Sequence, residues 1–270
     1  MKNKIAIFCL FLGAMLLFLT NVFAQQNFLR LSILDVGQGD ACLVNLNNEK
    51  IILLDGGPSN ILLRRLGESL PFYKRRIDFV IISHFHEDHI IGLVELFRRY
   101  QVGTLIYGAG LEESHPAEII FAEAARQGTK ILAIKNESSF ILGDNCYFKV
   151  WNLVSKYRVN DNNSLVTKLK CSHFSFLAAG DNELAAEKTI LDLKLDIESG
   201  IFKASHHGAD NANSLKFLEK INPQLMIISV GSDNKFGHPS EALIRRAYDL
   251  DIKVKRTDLL GTINIFTNIR

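Results

Sequence analysis

The sequence has little proline, five residues in 270, a single tryptophan, and no stretch dominated by proline, glycine and serine or by charge of one sign. Such stretches are what build flexible linkers and disordered tails, so the composition excludes a linker-joined or disordered architecture. There is no internal repeat. Four cysteines occur without any CxxC or CxxH spacing, which excludes a cysteine-ligated zinc motif. Only one long uncharged apolar run is present, Ile5 to Leu19. It follows Lys2 and Lys4 and leads to Val22-Phe23-Ala24. A charged start, an apolar middle and a small-residue exit predict a secretory signal peptide over residues 1–24, cut after Ala24. No membrane span is then expected after the cut, and the product would be exported, periplasmic or extracellular.

Lys2 and Lys4 account for the whole excess of 31 basic over 29 acidic residues. The remaining chain has no positive surplus, so net charge does not argue for a nucleic-acid partner. Cys42, Cys146 and Cys171 remain, an odd number, which requires at least one free thiol or an intermolecular bridge. Cys42 and Cys171 lie in apolar strand-like runs and read as buried small hydrophobes.

With 47% hydrophobic residues, residues 25–270 can bury a large core and are expected to form one globular unit. "FLRLSILDVG" and "DACLVNL" read as strands around a glycine turn, and "KIILLDGG" as a third strand. An amphipathic stretch from Ser59 to Leu70 precedes the strand "IDFVIISH". Helical spacing follows in "IIGLVELFRRY" and around Ala117 to Gln127, and four more strands begin at Ser139. The second half repeats this order, with strands at "GIFKASHHG" and "QLMIISVG", helices at "NSLKFLEKI" and "SEALIRRAYDL", and closing strands at "KVKRT" and "TINIF". Strands first and helices afterwards, twice over, predict two sheets face to face with helices outside: an α/β (α+β) chain in an αββα sandwich.

Polar residues placed directly after apolar strands gather on one rim of such a sandwich. "VIISHFHEDHIIG" carries His84, His86, Asp88 and His89 in this position. Residues two apart in an extended segment share a face, so His84 and His86 can address one metal ion, and Asp88 and His89, in the turn beyond, a second. Asp181 in "LAAGDN" ends another strand and is placed to bridge two ions, while His206 and His207 in "KASHHGA" add imidazoles from a third. Two divalent ions about 3.5–4 Å apart would activate a water and neutralise charge on an oxyanion.

His84-x-His86-x-Asp88-His89 resembles the signature of the metallo-β-lactamase superfamily. "LDVGQGDA", "LLDGG", "SHFHEDHIIGL", "NNSLV", "AAGDNE", "ASHHGA", "SVGSDNKFGHPS" and "RTDLLGTI" follow, in order, the pattern of the extracellular hydrolase domain of ComEC-type competence proteins. The resemblance implies an αββα fold and a dinuclear centre. His84 and His86 would hold one ion, Asp88, His89 and His207 the other, with Asp181 between them. His206 and, in "FGHPS", His238 would face the substrate or leaving group. Asp55 and the glycine turn from Asp35 to Asp40 would line or brace the metal loop. Many superfamily members have a third histidine where this chain has Asn163 and Ser164. Neutral oxygens are weak ligands, which predicts a loosely held first ion or Mn²⁺ in place of Zn²⁺. His115 and His173, on turns, read as surface residues. The basic clusters Arg64-Arg65, Lys74-Arg75-Arg76 and Arg98-Arg99 each have an acid nearby and read as solvated faces.

The resulting expectation is an exported hydrolase with two divalent ions, Zn²⁺ or Mn²⁺, acting on a phosphodiester, with DNA the first substrate to test. Asp88, His206 and His238 would carry the chemistry, the histidines protonating the leaving oxygen. Rival readings are a hydrolase of another ester, such as a phosphocholine ester or lactone, and a binding protein with a vestigial site.

Overall fold

In β1 (Phe28–Ile33), Leu29, Leu31 and Ile33 face one way and are fully buried, because successive side chains of a strand point to opposite faces. They meet Phe148, Val150, Leu169 and Phe176 of a second sheet across a shared apolar layer. The computed structural model describes residues 11–15, 28–110, 114–143, 145–153 and 164–269. Most of the expected signal segment, and Asn163, lie outside the described residues.

The first sheet has the order β14-β1-β2-β3-β4-β5-β6, the second β13-β12-β11-β10-β9-β8-β7. The strands of the first are β1, β2 (Cys42–Leu46), β3 (Lys50–Leu54), β4 (Arg76–Ile81), β5 (Gln101–Gly108), β6 (Lys130–Ile134) and β14 (Ile263–Asn268). Those of the second are β7 (Glu137–Gly143), β8 (Cys146–Trp151), β9 (Val166–Cys171), β10 (Phe174–Ala178), β11 (Ile201–Lys203), β12 (Leu225–Ile228) and β13 (Lys253–Arg256). Helices α1 (Ile61–Ser69), α2 (Glu87–Arg99) and α3 (His115–Gln127) cover the outer face of the first sheet. Helices α4 (Leu184–Asp192), α5 (Leu215–Ile221) and α6 (Glu241–Asp249) cover the second, and α7 (Thr257–Leu260) links β13 to β14. This is the αββα sandwich that the strand and helix patterns imply.

Each sheet is half antiparallel and half parallel. β3, β4, β5 and β6 run parallel, as do β10, β11, β12 and β13. Parallel strands are buried on both faces and read as continuous apolar runs, so where the run stops, at Ile82 after β4 or Ala179 after β10, the chain reaches the rim. The polar residues that follow, Ser83-His84 and Asp181-Asn182, therefore arrive at the same edge of the sandwich.

The same edge carries a charged strut between the sheets. Lys203, the last residue of β11, donates through Nζ to Asp40 in the turn before β2, and both side chains are buried. Burial resists charge on each, but the mutual attraction raises the lysine pKa and holds the Asp40 carboxyl low.

Two features differ from the sequence reading. β11 stops at Lys203, and His206 and His207 lie in a tight 3₁₀ turn, Ser205–Gly208, with φ of 49° and 52°, so "KASHHG" is not strand to its end. The left-handed region cannot continue a pleated ladder. Cys171 is not a lone apolar residue: β8 and β9 pair Cys146 with Cys171 across the ladder, and the two form a disulfide. Cys42 is the free, buried thiol. Among the described residues no helix is long and apolar enough to cross a membrane.

Helix α2 places Glu87 and Asp88 in its first turn and Arg98 and Arg99 in its last, complementing its dipole. Its buried face, His89, Ile90, Leu93, Leu96 and Phe97, has helical spacing. It packs unusually close to the loop after β3, where the Gly56 N–H donates to His89 O at 2.6 Å and the Gly92 N–H to Gly57 O at 3.0 Å. A Cβ on Gly92 would lie 2.0 Å from Gly56 O.

Two outcomes follow from this packing. Gly92→Ala, which would stabilise an isolated helix by about 1 kcal/mol, is expected instead to destabilise the protein by about 1–3 kcal/mol through overpacking, read as a lower urea midpoint. Lys203→Met leaves Asp40 buried without its cation and is expected to cost about 3–5 kcal/mol. Adding Asp40→Asn to it should recover part of that loss, a coupling that a double-mutant denaturation cycle measures.

Candidate metal centre

Backbone alternation sorts the side chains after β4. His84 and His86 point to the rim, while Phe85 between them turns inward against Tyr107 and Phe121. His86 is the N-cap of α2 and is itself exposed. Asp88 and His89 follow in the first turn of α2, with His89 fully buried. Asp181 comes from the turn after β10, and His207 from the 3₁₀ turn after β11, where the paired left-handed residues aim His207 inward and leave His206 at the mouth.

Asp181 is the meeting point. Its Oδ2 lies 3.7 Å from His84 Nε2, 3.3 Å from His89 Nε2, 3.7 Å from His207 Nε2 and 4.0 Å from His206 Nε2. Asp88 Oδ2 is 3.1 Å from His207 Nε2 and 3.8 Å from His89 Nε2. Donor atoms of Asp88, His89, Asp181 and His207 all lie within 4.8 Å of one another, as do those of His84, His86 and Asp181. These are the two sets into which the sequence motif divides.

Three imidazoles have their outer nitrogen already engaged. His207 Nδ1 donates to Ser229 O at 3.1 Å, and His89 Nδ1 to Asp55 Oδ2 at 3.0 Å. His84 Nδ1 lies between the hydroxyls of Ser83 and Ser164, at 3.0 and 3.1 Å. Ser83 Oγ in turn donates to Asp55 Oδ2, and Asp55 Oδ1 accepts the Ser83 N–H. Holding the outer nitrogen fixes each ring and leaves Nε2 directed inward, the arrangement that tunes metal-binding histidines.

What the inner atoms lack tests whether metal ions fit. His84 Nε2, His89 Nε2 and Asp181 Oδ1 are buried without a hydrogen-bond partner. Each such orphan costs about 1–3 kcal/mol if nothing satisfies it. Nitrogen and carboxylate donors converging from opposite sides suit Zn²⁺ or Mn²⁺. The donor set therefore fits a pair of divalent ions.

Electrostatics divide the imidazoles: His84 is left neutral, whereas His89 and His207 hold a proton that a metal ion would displace. Burial pushes the His84 imidazole well below its usual range, which keeps its lone pair free. Burial also resists charge on His89, but Asp181 and Asp55 outweigh it and lift His89 well above that range. His207 is pushed up to about 9 because Asp181 and Asp40 overcome its burial. Asp181 is held well below the ordinary carboxylate range, its burial outweighed by His89 and His207.

The remaining predicted residues take distinct positions. Ser164 Oγ accepts the Asp181 N–H at 2.8 Å while contacting His84 Nδ1, so it braces two donors from behind. Asp40 Oδ1 stands 3.3 Å from His207 Nδ1. The glycine turn supports Asp88 directly: the Asp40 N–H donates to Asp88 O, and Gly39, at φ 144°, approaches so closely that a Cβ would lie 2.2 Å from that oxygen. Asp35 stays apart, paired with Arg65 at 2.5 Å. His238 precedes Pro239 across a cis peptide bond, and its ring lies 5.8 Å from that of His206. His115 and His173 are exposed and away from the donors, on Glu118 and Thr267. Arg65, Arg98 and Arg99 pair with Glu68 and Glu95 on helix faces.

Sequence reasoning passed over Ser83, Ser229 and Lys203. Only Lys203 carried a signal, a lysine inside an otherwise apolar three-residue strand. It also passed over Glu183, whose Oε1 lies 3.3 Å from His206 Nδ1.

Comparison with known proteins points the same way. Residues 34–158 match the family described as the metallo-beta-lactamase superfamily. The chain is 25% identical over 248 residues to ComE operon protein 3 of Bacillus subtilis, covering 86% of this chain and 32% of that protein. It is 26% identical over 241 residues to competence protein ComA of Neisseria gonorrhoeae, covering 88% of this chain and again 32% of the other. The chain thus spans about a third of the length of these curated relatives. Among solved structures, the short form of human tRNase Z superposes with a TM-score of 0.56 at 12% identity, over 89% of this chain and 99% of that one. Matched sequence over residues 34–158, two helix-covered mixed sheets and a rim of histidines and aspartates together mark a metallo-beta-lactamase fold in a chain similar to competence proteins.

Proposed function

We propose that the protein is an exported, metal-dependent phosphodiesterase whose substrate is nucleic acid, with DNA the first to test. The observation that carries this reading is Asp181 in contact range of both donor sets, with unpartnered imidazole and carboxylate atoms turned toward the space between them. His84, His86 and Asp181 would hold one ion; Asp88, His89, His207 and Asp181 the other. Such ions supply Lewis-acid polarisation of a phosphoryl oxygen and an acidified water.

The chain's own residues do the remaining work. Asp55 and Ser83 orient His89 and His84, and Asp40 with Ser229 orients His207, so the donors need no rearrangement during turnover. His206 stands at the mouth, with Glu183 Oε1 3.3 Å from its Nδ1 and its Nε2 4.0 Å from Asp181, where it could meet a leaving oxygen. His238 beside it is the second group able to hydrogen-bond there. Asp88, partly open to solvent, borders the space where a phosphoryl group would sit.

Three further facts support the reading. One of the two relatives reported above is named a competence protein and the other a ComE operon protein, and a tRNase shares the fold. The Cys146–Cys171 disulfide belongs with an oxidising compartment, as export requires. Fold likeness alone leaves the substrate open, so the assay must name it.

With added Mn²⁺ or Zn²⁺ the purified protein should hydrolyse bis-p-nitrophenyl phosphate and single-stranded DNA, and the Asp88→Ala, His89→Ala variant should fall to background. Absence of turnover of either compound by the wild type would sink the phosphodiesterase assignment. Ions at a hundredfold excess over their Kd should also raise stability by about 2.7 kcal/mol, seen as a higher Tm that the variant lacks. Export predicts a separate result. Protein recovered from the oxidising side of the membrane, unfolded and alkylated, should take one label, at Cys42, before reduction and two more, at Cys146 and Cys171, after it.

A further inference from the structure

The donor arrangement leaves Phe236 unaccounted for. Its side chain is 69% exposed, yet the loop that presents it is firmly held. Asn234 Nδ2 donates to Gly231 O and to His238 O, each at 2.9 Å, while its Oδ1 accepts the Phe236 and His238 N–H groups at 3.3 and 3.0 Å. The root of the loop is tied to the glycine turn behind Asp88, where the Gly231 N–H donates to Gln38 Oε1 at 3.1 Å. A loop fastened in this way does not expose a phenyl ring for want of an alternative; the ring is kept outside by four hydrogen bonds.

Its orientation is equally specific. The Phe236 ring lies nearly parallel to that of His238, 5.7 Å between centroids and 16° between planes. His238 stands 5.8 Å from His206, and His206 Nε2 is 4.0 Å from Asp181 Oδ2. A line of rings thus leads from solvent to the carboxylate at the centre. A second exposed aromatic pair among the described residues, Phe72 and Tyr73, meets edge to face in the turn before β4, at the opposite end of that strand from His84.

A flat, fixed, solvent-facing ring beside a phosphodiester site is the element on which nucleobases stack. Stacking tolerates any sequence, because every base has a π-face. It requires an unpaired base, since those inside a duplex are already covered on both sides. Charge does not offer an alternative anchor here. Lys235 beside Phe236 is offset by Asp233, both exposed, and the chain beyond the expected signal segment has no basic surplus.

We propose that Phe236, backed by His238, is a stacking platform for an unpaired nucleobase flanking the scissile phosphate, so that the site takes single-stranded nucleic acid in preference to duplex. The proposal rests on the phosphodiesterase reading and is tested apart from it. Phe236→Trp places a reporter in the loop, while the sole native tryptophan, Trp151, is 3% exposed. Short oligothymidylate should quench the new fluorescence saturably, and a duplex of the same length should quench it far less. Phe236→Ala should lower kcat/KM on a single-stranded oligonucleotide by roughly tenfold, within the range found for one stacked base, with the loss in KM. Making the flanking nucleotide abasic should cost the wild type a similar factor and add little to the variant's loss. Absence of quenching, equal quenching by duplex, or additive losses in that cycle would overturn the platform. Hydrolysis of bis-p-nitrophenyl phosphate judges the other reading: turnover without any base dependence defeats the platform alone, whereas no turnover with either ion defeats the phosphodiesterase.

Discussion

A buried carboxylate surrounded by imidazoles governs this molecule. Asp181 is nearly solvent-free and one of its oxygens has no hydrogen-bond partner. An isolated charge in such a place would cost several kcal/mol and would normally take up a proton instead. Here His89 and His207 offset its burial and keep it ionised. The compensation runs outward in layers, since those imidazoles are themselves held by Asp55 and Asp40, and these by Ser83 and Lys203. Every layer is buried, and the last charge in the series, Lys203, belongs to the opposite sheet from Asp40 and Asp55.

That chain of charges explains why the centre needs both sheets. Strand β4 supplies His84, His86, Asp88 and His89 through the loop and helix that follow it, while β10 and β11 supply Asp181, His206 and His207 from the other side. Neither candidate donor set is complete within one half, since each combines Asp181 with residues that follow β4. Because the parallel strands stop on one rim, the donors converge without any long excursion of the chain, and the glycine turn before β2 can press against Asp88 from behind. Fold and site are coupled through the same contacts, so loosening the Lys203–Asp40 strut would disturb His207 before it disturbed the apolar core.

Much of this was legible in the sequence because it depends on local pattern. Apolar runs that end in histidine or aspartate located β4, β10 and their rim, and the spacing of His84, His86, Asp88 and His89 divided them into two sets. What stayed hidden depends on contacts between distant residues. Lys203 meets Asp40 across 163 positions, and no periodicity encodes such a pairing. The disulfide was hidden for a related reason: Cys146 and Cys171 become neighbours only through the register of β8 on β9. The left-handed turn at His206 and His207 escaped a reading in which apolar neighbours signalled continued strand.

Ser164 clarifies what replaces the histidine that many relatives of this fold place before the bridging aspartate. A serine oxygen would be a poor ligand, and this one is occupied: it accepts the Asp181 N–H and faces His84 Nδ1. Its hydroxyl thus acts on the centre by aiming two donors rather than by adding a third. The two candidate sets consequently differ in kind. One has four donors, with Asp88 only partly exposed and the other three buried; the other has three, including the exposed His86. Donor number and burial would both favour tighter retention at the four-donor set, so an ion at His84 and His86 would be the one a substrate oxygen could help to hold. An exchangeable ion that shared Asp181 with the four-donor set would link occupancy to substrate binding, a coupling that a fully ligated pair would not need.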